Sequence, residues 1–374
     1  MAGRAPTATP AARVDGVDAA RGLALIGMFV AHVSPAVASE EITSLIALAD
    51  ERPRLLFALT AGMGLGFITG ATRPITEGRG ELRRQIAIRA VILIVLGLGI
   101  AITLHPLVFI ILDVYGVAFL LLLPLLFLPR GAALGVGIVL LAIAPAFAEL
   151  AKHTALITDL QESSLGLVAD WFVSGAYPVF VWIAAMLIGL ALVRYDLGNP
   201  RVVAVAALIG AYAAAALLPV AALMPGGNAA PPINALAALG ADARASAAVT
   251  EAVRLSIETL GNLGVGVVVV AAMLLLMQFA RPVVRRVAGL LLSPITAMGS
   301  MPLSVYTLHL IVIAMSVRTE NGVRTDDSWG LVIALIVGSM LFAWLWRRHI
   351  GRGPLEQLLR WMSGRSRADV PSPV

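Results

Sequence analysis

Residues 13–35 read RVDGVDAARGLALIGMFVAHVSP. A charged edge of Arg13, Asp15, Asp18 and Arg21 gives way to an apolar run from Gly22 to Ala31, and one imidazole, His32, stands just before Ser34-Pro35. A run of this length crosses a bilayer as a helix, because about 20 residues at 1.5 Å rise cover roughly 30 Å of hydrocarbon. A charge at the edge of a span costs roughly 2.5–3.5 kcal/mol on insertion scales. Asp18 and Arg21, three residues apart on one helix face, are therefore expected to answer each other as a structural pair. No small-residue cleavage site follows the run, so it is read as a retained span rather than a removed leader.

The remainder of the 374 residues extends this reading. The chain is 59% hydrophobic and 13% charged, with a mean hydropathy of +0.93, whereas soluble domains carry about 25% charged residues. The expected fold class is all-α: a polytopic integral membrane protein in one helical bundle. The absence of cysteine excludes disulfides, thiol nucleophiles and thiolate-ligated metals. There is no phosphate-binding glycine loop, no HExxH and no GxSxG, and no metal is expected. The net charge of +5 does not point to nucleic acid. The excess arginine sits in short loops between apolar runs, a pattern that reports membrane orientation.

Taken in order, residues 1–12 are rich in Ala, Pro, Thr and Gly and are expected to form a disordered cytoplasmic tail. After the first span, 38–53 make a short amphipathic excursion, and Arg54 opens a second span whose Gly62, Gly64 and Gly66 suit close helix approach. Spans three (86–104) and four (107–128) are separated only by His105-Pro106, which demands a tight turn. Spans five (132–149), six (175–194) and seven (202–224) follow, with a polar loop at 150–174 fit for an interfacial helix. The longest non-spanning piece, 225–256, opens with PGGNAAPP. Spans eight (258–279), nine (294–316) and ten (329–347) lead to an amphipathic segment and tail at 351–374. Ten spans put both termini on one side. Most of the 27 Lys and Arg fall on that side, which makes it cytoplasmic by the positive-inside rule.

With that orientation, helix rise gives depth. His32 lies near the outer end of span one, Arg54 at the outer end of span two, and Asp113 and His309 about 10 Å inside the outer ends of spans four and nine. Glu258 and Asn262 lie at the outer start of span eight. Ionisable groups in membranes face a bundle interior or a wet cavity, so these residues are expected to line one cavity open to the extracytoplasmic side. Tyr115, Ser304 and Tyr306 are candidates for the same wall. In a catalytic reading, His32 or His309 is a general base, Asp113 or Glu258 orients it, and Arg54 or Asn262 steadies an oxyanion, with Tyr115 and Tyr306 against the substrate. Asp113 and Glu258 serve equally well as salt-bridge partners of Arg54. The arginines Arg83, Arg84, Arg285 and Arg286 are candidates for the phosphates of a donor, although orientation bias alone accounts for them.

The segment RVDGVDAARGLALIGMFVAHV resembles the opening signature of the transmembrane acyltransferases related to heparan-α-glucosaminide N-acetyltransferase. ILDVYGVAFLLLLP, MGSMPLSVYTLH and the closing GPLEQLLRWMSG resemble the YeiB-like family of bacterial membrane proteins. On this resemblance 13–350 is a transmembrane domain with an acyltransferase-like part at 13–150 and a YeiB-like part at 175–350. The resemblance implies a multi-pass acyltransferase in a bacterial plasma membrane. Its acyl group, acetyl foremost, would pass from cytoplasmic acetyl-CoA or another acyl-CoA to an extracytoplasmic sugar or similar acceptor. One departure stands out: His32 occupies a position where the pattern carries Asn, and residues 33–50 contain no His. A transporter or flippase on the same scaffold, without covalent chemistry, is the alternative. Expected partners are the lipid bilayer and a small-molecule or glycan acceptor, with a homodimer left open.

Overall fold

The computed structural model describes residues 14–36, 39–47, 49, 51–176, 178–226, 241–320 and 322–364. The expected tail at 1–12, the PGGNAAPP stretch beyond Gly226 and the end of the closing segment beyond Gly364 lie outside them. The described elements are helical apart from one two-stranded hairpin. They are α1 (Asp15–Val33), α2 (Glu40–Ala47), α3 (Glu51–Ile68), α4 (Arg79–Leu104), α5 (Leu112–Leu122), α6 (Arg130–Ala151), α7 (Ala155–Glu162) and α8 (Gly166–Ala169). There follow α9 (Val179–Arg194), α10 (Pro200–Leu223), α11 (Ala241–Leu274), α12 (Pro282–Leu291), α13 (Ser293–Ser300), α14 (Pro302–Ser316), the hairpin β1 (Arg318–Glu320) and β2 (Val323–Thr325), α15 (Trp329–His349) and α16 (Pro354–Met362). The hairpin is antiparallel, with Arg318 opposite Thr325.

Six helices are long and apolar enough to cross a membrane, and eight if each of two bent pairs counts as one span. The chain is an all-α, multi-pass membrane protein in contact with the bilayer. Two of the ten expected spans fall outside that count for visible reasons. Helix α3 carries Glu51, Arg52 and Arg54 in its first turn, and α5 runs only 11 residues before turns around Pro124 end it. Span nine is not one helix. Pro302, which has no N–H to donate, follows Met301, and α13 and α14 meet there at 91°. Span eight begins earlier than expected: the alanine-rich residues from 241 continue without a breaker into α11.

Helix α9, VFVWIAAMLIGLALVR, is apolar on every side and is accordingly the buried centre, packed against α3, α5 and α6. Helices α4, α10 and α15 turn Val95, Leu208, Ile209 and Ile333 outward, as lipid-facing helices do. Helix α1 crosses α13 at backbone contact. A Cβ on Gly299 would run into the Asp18 carbonyl, and one on Gly22 into the Ile295 carbonyl. Gly62 does the same service for α3, where a Cβ would strike the backbone of Met186 on α9.

Arg21 fixes the crossing. Its guanidinium donates to Asp18 at 3.1 Å, to the Gly299 carbonyl at 3.0 Å and to the Thr60 carbonyl at 2.8 Å, joining α1, α13 and α3. The expected Asp18–Arg21 pair is thus part of a three-helix staple. A second arginine, Arg194, plays the same part for α9. It is 2% exposed and donates to the Ala71 carbonyl, the Thr69 hydroxyl and the Leu126 carbonyl. At the bent pair, Glu356 of α16 accepts from the backbone amides of Leu303 and Ser304, which are first-turn donors of α14, and from the Ser304 hydroxyl. The closing GPLEQLL sequence therefore holds the α13–α14 break in place.

Candidate functional site

Helix α1 brings His32 to its last turn, and α14 brings His309 one turn beyond Tyr306. The Nδ1 of His32 lies 3.3 Å from Nε2 of His309, with the two rings stacked at 5.4 Å and 14°. His309 is fully buried, flanked by Phe29 at 4.9 Å and edge-on to Tyr306 at 4.6 Å. Its Nδ1 is hydrogen-bonded to the Tyr306 carbonyl. Those partners assign the protons. A carbonyl oxygen only accepts, so His309 Nδ1 carries hydrogen and its Nε2 is an acceptor; His32 Nδ1 must then donate. The lone pair left over sits on Nε2 of His32. The Tyr306 hydroxyl accepts from the Ile111 amide at 3.2 Å, which ties α14 to the start of α5.

Arg54, on α3, is close enough to His32 to act on it electrostatically. It lines a cavity of about 200 Å³ together with Glu51, Glu149, Lys152, Trp182 and Thr259. At the opposite end of α3 a second cavity, of about 400 Å³, is lined by Asp18, Arg21, Gly64, Arg89 and Phe119. Tyr115 stands between the two. Its ring is 5.4 Å from Trp182 of the first cavity and 6.3 Å from Phe119 of the second, with Phe57 at 5.5 Å. The Tyr115 hydroxyl is buried with no hydrogen-bond partner.

Other expected members are engaged elsewhere, which corrects the single shared cavity. Asp113 accepts from the Trp171 indole at 2.7 Å, so it is committed to the 166–174 excursion rather than to a histidine or Arg54. Glu258 is held by Arg254 one turn away on the same helix. Asn262 accepts from Arg52 at 3.0 Å and donates to Glu51 at 3.3 Å, in place of the expected partnership around Arg54. Arg52, Arg254 and Glu258 line a separate recess of about 450 Å³. Glu258 is met within one turn and Asn262 from a facing helix, whereas Asp113 keeps one carboxylate oxygen buried without a hydrogen-bond partner.

The four arginines expected at a donor are dispersed. Arg83 donates to the Leu123 carbonyl and lies over the Phe127 ring at 5.2 Å. Arg84 gives both arms to Glu81 at 2.8 and 2.9 Å, and Arg285 and Arg286 are exposed on α12. Arg21, expected only in the structural pair, and Arg89, not singled out in the sequence, line the cavity beside α3, and Arg347 and Arg348 line a separate recess with Asp15. Two guanidiniums against the one carboxylate of Asp18 suit a phosphorylated ligand.

Two families share the chain. The family described as a protein of unknown function, DUF418, matches residues 222–366. The family described as heparan-alpha-glucosaminide N-acetyltransferase, catalytic, matches residues 13–224, more than half of the chain and the whole of the region that carries His32, Arg54 and Tyr115. A search among curated proteins finds no match. By residues 13–224 the chain belongs to the heparan-alpha-glucosaminide N-acetyltransferase catalytic family, that is, to the membrane transferases of the acetyltransferase type.

Proposed function

We propose that the protein transfers an acyl group, acetyl foremost, from a cytoplasmic acyl-CoA to the amine or hydroxyl of an extracytoplasmic sugar or similar acceptor. The observation that carries this reading is the His32–His309 pair, whose hydrogen-bond order leaves the acceptor lone pair on Nε2 of His32, with Arg54, the cation that acts on His32, in the wall of a cavity. We assign ten passes with both termini in the cytoplasm of a bacterial cell, on the arginine distribution. The donor then enters by the cavity at Arg21 and Arg89, and the acceptor by the one at Arg54.

His32 removes the proton of the acceptor N–H or O–H through Nε2 as the acceptor atom bonds to the thioester carbonyl carbon. His309 accepts the Nδ1 proton's hydrogen bond throughout and holds the ring. The carbonyl oxygen takes up the negative charge, and the unpartnered Tyr115 hydroxyl is the group offered to it. Collapse breaks the C–S bond, and the proton on His32 goes to the departing sulfur, so acceptor and thioester yield ester or amide and free thiol. From Arg21 to His32 is about 16 Å along α1 at 1.5 Å per residue, within the reach of an extended pantetheine arm. Asp113, Glu258 and Asn262 hold the surrounding helices.

The lack of cysteine makes the test clean, since every thiol released comes from coenzyme A. Purified protein given acetyl-CoA and a panel of amino sugars and polyols is expected to release thiol in an acceptor-dependent way. Folded protein that neither binds acetyl-CoA nor releases thiol with any of them would overturn the proposal.

A further inference from the structure

We propose a binding site for the phosphate of an acidic phospholipid in the recess between the start of α1, the α12–α13 junction and the last turns of α15. The recess holds about 530 Å³ and is lined by Arg347, Arg348, Trp344, Ser293 and Asp15, among others. Its charge is net positive: two guanidiniums face one carboxylate, with Arg347 3.3 Å from Asp15. Arg348 lies over the Trp344 ring at 5.4 Å, which pins the cation while leaving its N–H groups in the ring plane's surroundings to donate. The Ser293 hydroxyl adds a neutral donor.

Lipid, rather than a soluble phosphate, fits the surroundings. On the α12 side, Leu290 and Leu291 are 72% and 73% exposed, and on the α15 side Leu341 and Leu345 are exposed as well. Helix α12 also carries Arg285 and Arg286 among exposed valines, the composition of a helix lying in the headgroup layer. A phosphate in the recess would place its acyl chains on those leucines. The site is separate from the cavity at Arg21 and Arg89, which lies on the α3–α4 side of α1, so it stands whatever the protein transfers.

The test uses the full chain in nanodiscs of phosphatidylcholine alone or of phosphatidylcholine with phosphatidylglycerol. Native mass spectrometry and thermal unfolding are the readouts. We expect phosphatidylglycerol to be retained and to raise the Tm. We also expect a preference of roughly twenty-five-fold over phosphatidylcholine, at about fivefold for each arginine. The double variant R347Q/R348Q loses this preference, R348Q alone, which keeps the Arg347–Asp15 pair, loses part of it, and R285Q/R286Q retains it. Equal retention of the two lipids, or an unchanged preference in R348Q, would overturn the site. An equal Tm rise from inorganic phosphate would overturn the assignment to lipid.

Discussion

His32 is set apart by what lies behind it: a neutral imidazole whose own outer nitrogen is acceptor only, in turn fixed by a backbone carbonyl. A proton taken at Nε2 is therefore shared along a chain that is already aligned. His32→Ala is expected to lower acceptor-dependent thiol release by about 10²–10⁴-fold while expression and Tm stay close to the parent. His309→Gln keeps a side-chain acceptor near His32 and should fall less, and comparable losses in both would reject the assignment of base and orienter. Tyr115→Phe should cost up to about 10²-fold in rate, since it removes a single oxyanion donor, with little change in stability because the hydroxyl has no partner to lose. A titration prediction belongs to the loop before α15. Burial, with Asp327 alongside, raises the pKa of Asp326. A carboxyl with a raised folded-state pKa favours folding below its unfolded value of about 3.9 and loses that contribution as pH rises through the folded value. Asp326→Asn should thus raise the Tm at pH 7, the gain shrinking toward pH 4; a constant or growing gain on acidification would contradict it. At this scale helix rise put His32 and His309 in the outer halves of spans one and nine as alternative bases, and their stacking across 277 positions comes from the fold. The sequence was silent where a partner comes from elsewhere in the fold, as with Trp171 for Asp113 or the Leu126 carbonyl for Arg194.

Elements obeyed the apolar pattern in their order and failed it at their breaks. The alternation of apolar runs and basic loops found an apolar core in every long helix, because a 20-residue apolar stretch in a membrane has one way to satisfy its backbone, but it missed the alanine-rich start of α11 at Ala241. What the pattern cannot carry is a bend inside a run. MGSMPLSVYTLH is apolar throughout, yet Pro302 divides it and α13 turns 91° away from α14. That turn leaves the first amides of α14 to be met from outside, and Glu356 meets them. Glu356→Ala should therefore destabilise the protein by about 1–3 kcal/mol, visible as a lower Tm in detergent, whereas Glu356→Gln, which keeps an acceptor, should recover part of it. The α1–α13 crossing gives a sharper case. Gly299→Ala puts a methyl against the Asp18 carbonyl, and the overpacking cost of about 1–3 kcal/mol should come with a loss of activity, because α1 carries both Arg21 and His32. Gly80→Ala, where nothing lies within 4 Å, is the control that should leave both unchanged.

For the whole molecule, the arrangement of two cavities on one helix is the strongest constraint on mechanism. Arg54 and Gly64 lie about 15 Å apart along α3 at 1.5 Å per residue, each in the wall of a different cavity, with the Tyr115, Trp182 and Phe119 rings between them. A transferase needs only the acyl arm to reach across; a transporter must open that aromatic layer to a whole substrate. The two can be told apart in this cysteine-free chain. A Cβ at Gly64 meets nothing nearer than an Arg21 nitrogen at 3.8 Å, and Ala148 lies in the wall of the Arg54 cavity, so Gly64→Cys and Ala148→Cys each put a single thiol at a cavity wall. In oriented vesicles an impermeant maleimide is expected to label Gly64→Cys from the cytoplasmic face and Ala148→Cys from the other, in every condition. Coenzyme A should slow labelling at Gly64→Cys severalfold and leave Ala148→Cys unchanged. Labelling of one position from both faces, alternating with substrate, would instead mean that the layer opens, and the chemistry assigned to His32 would give way to transport.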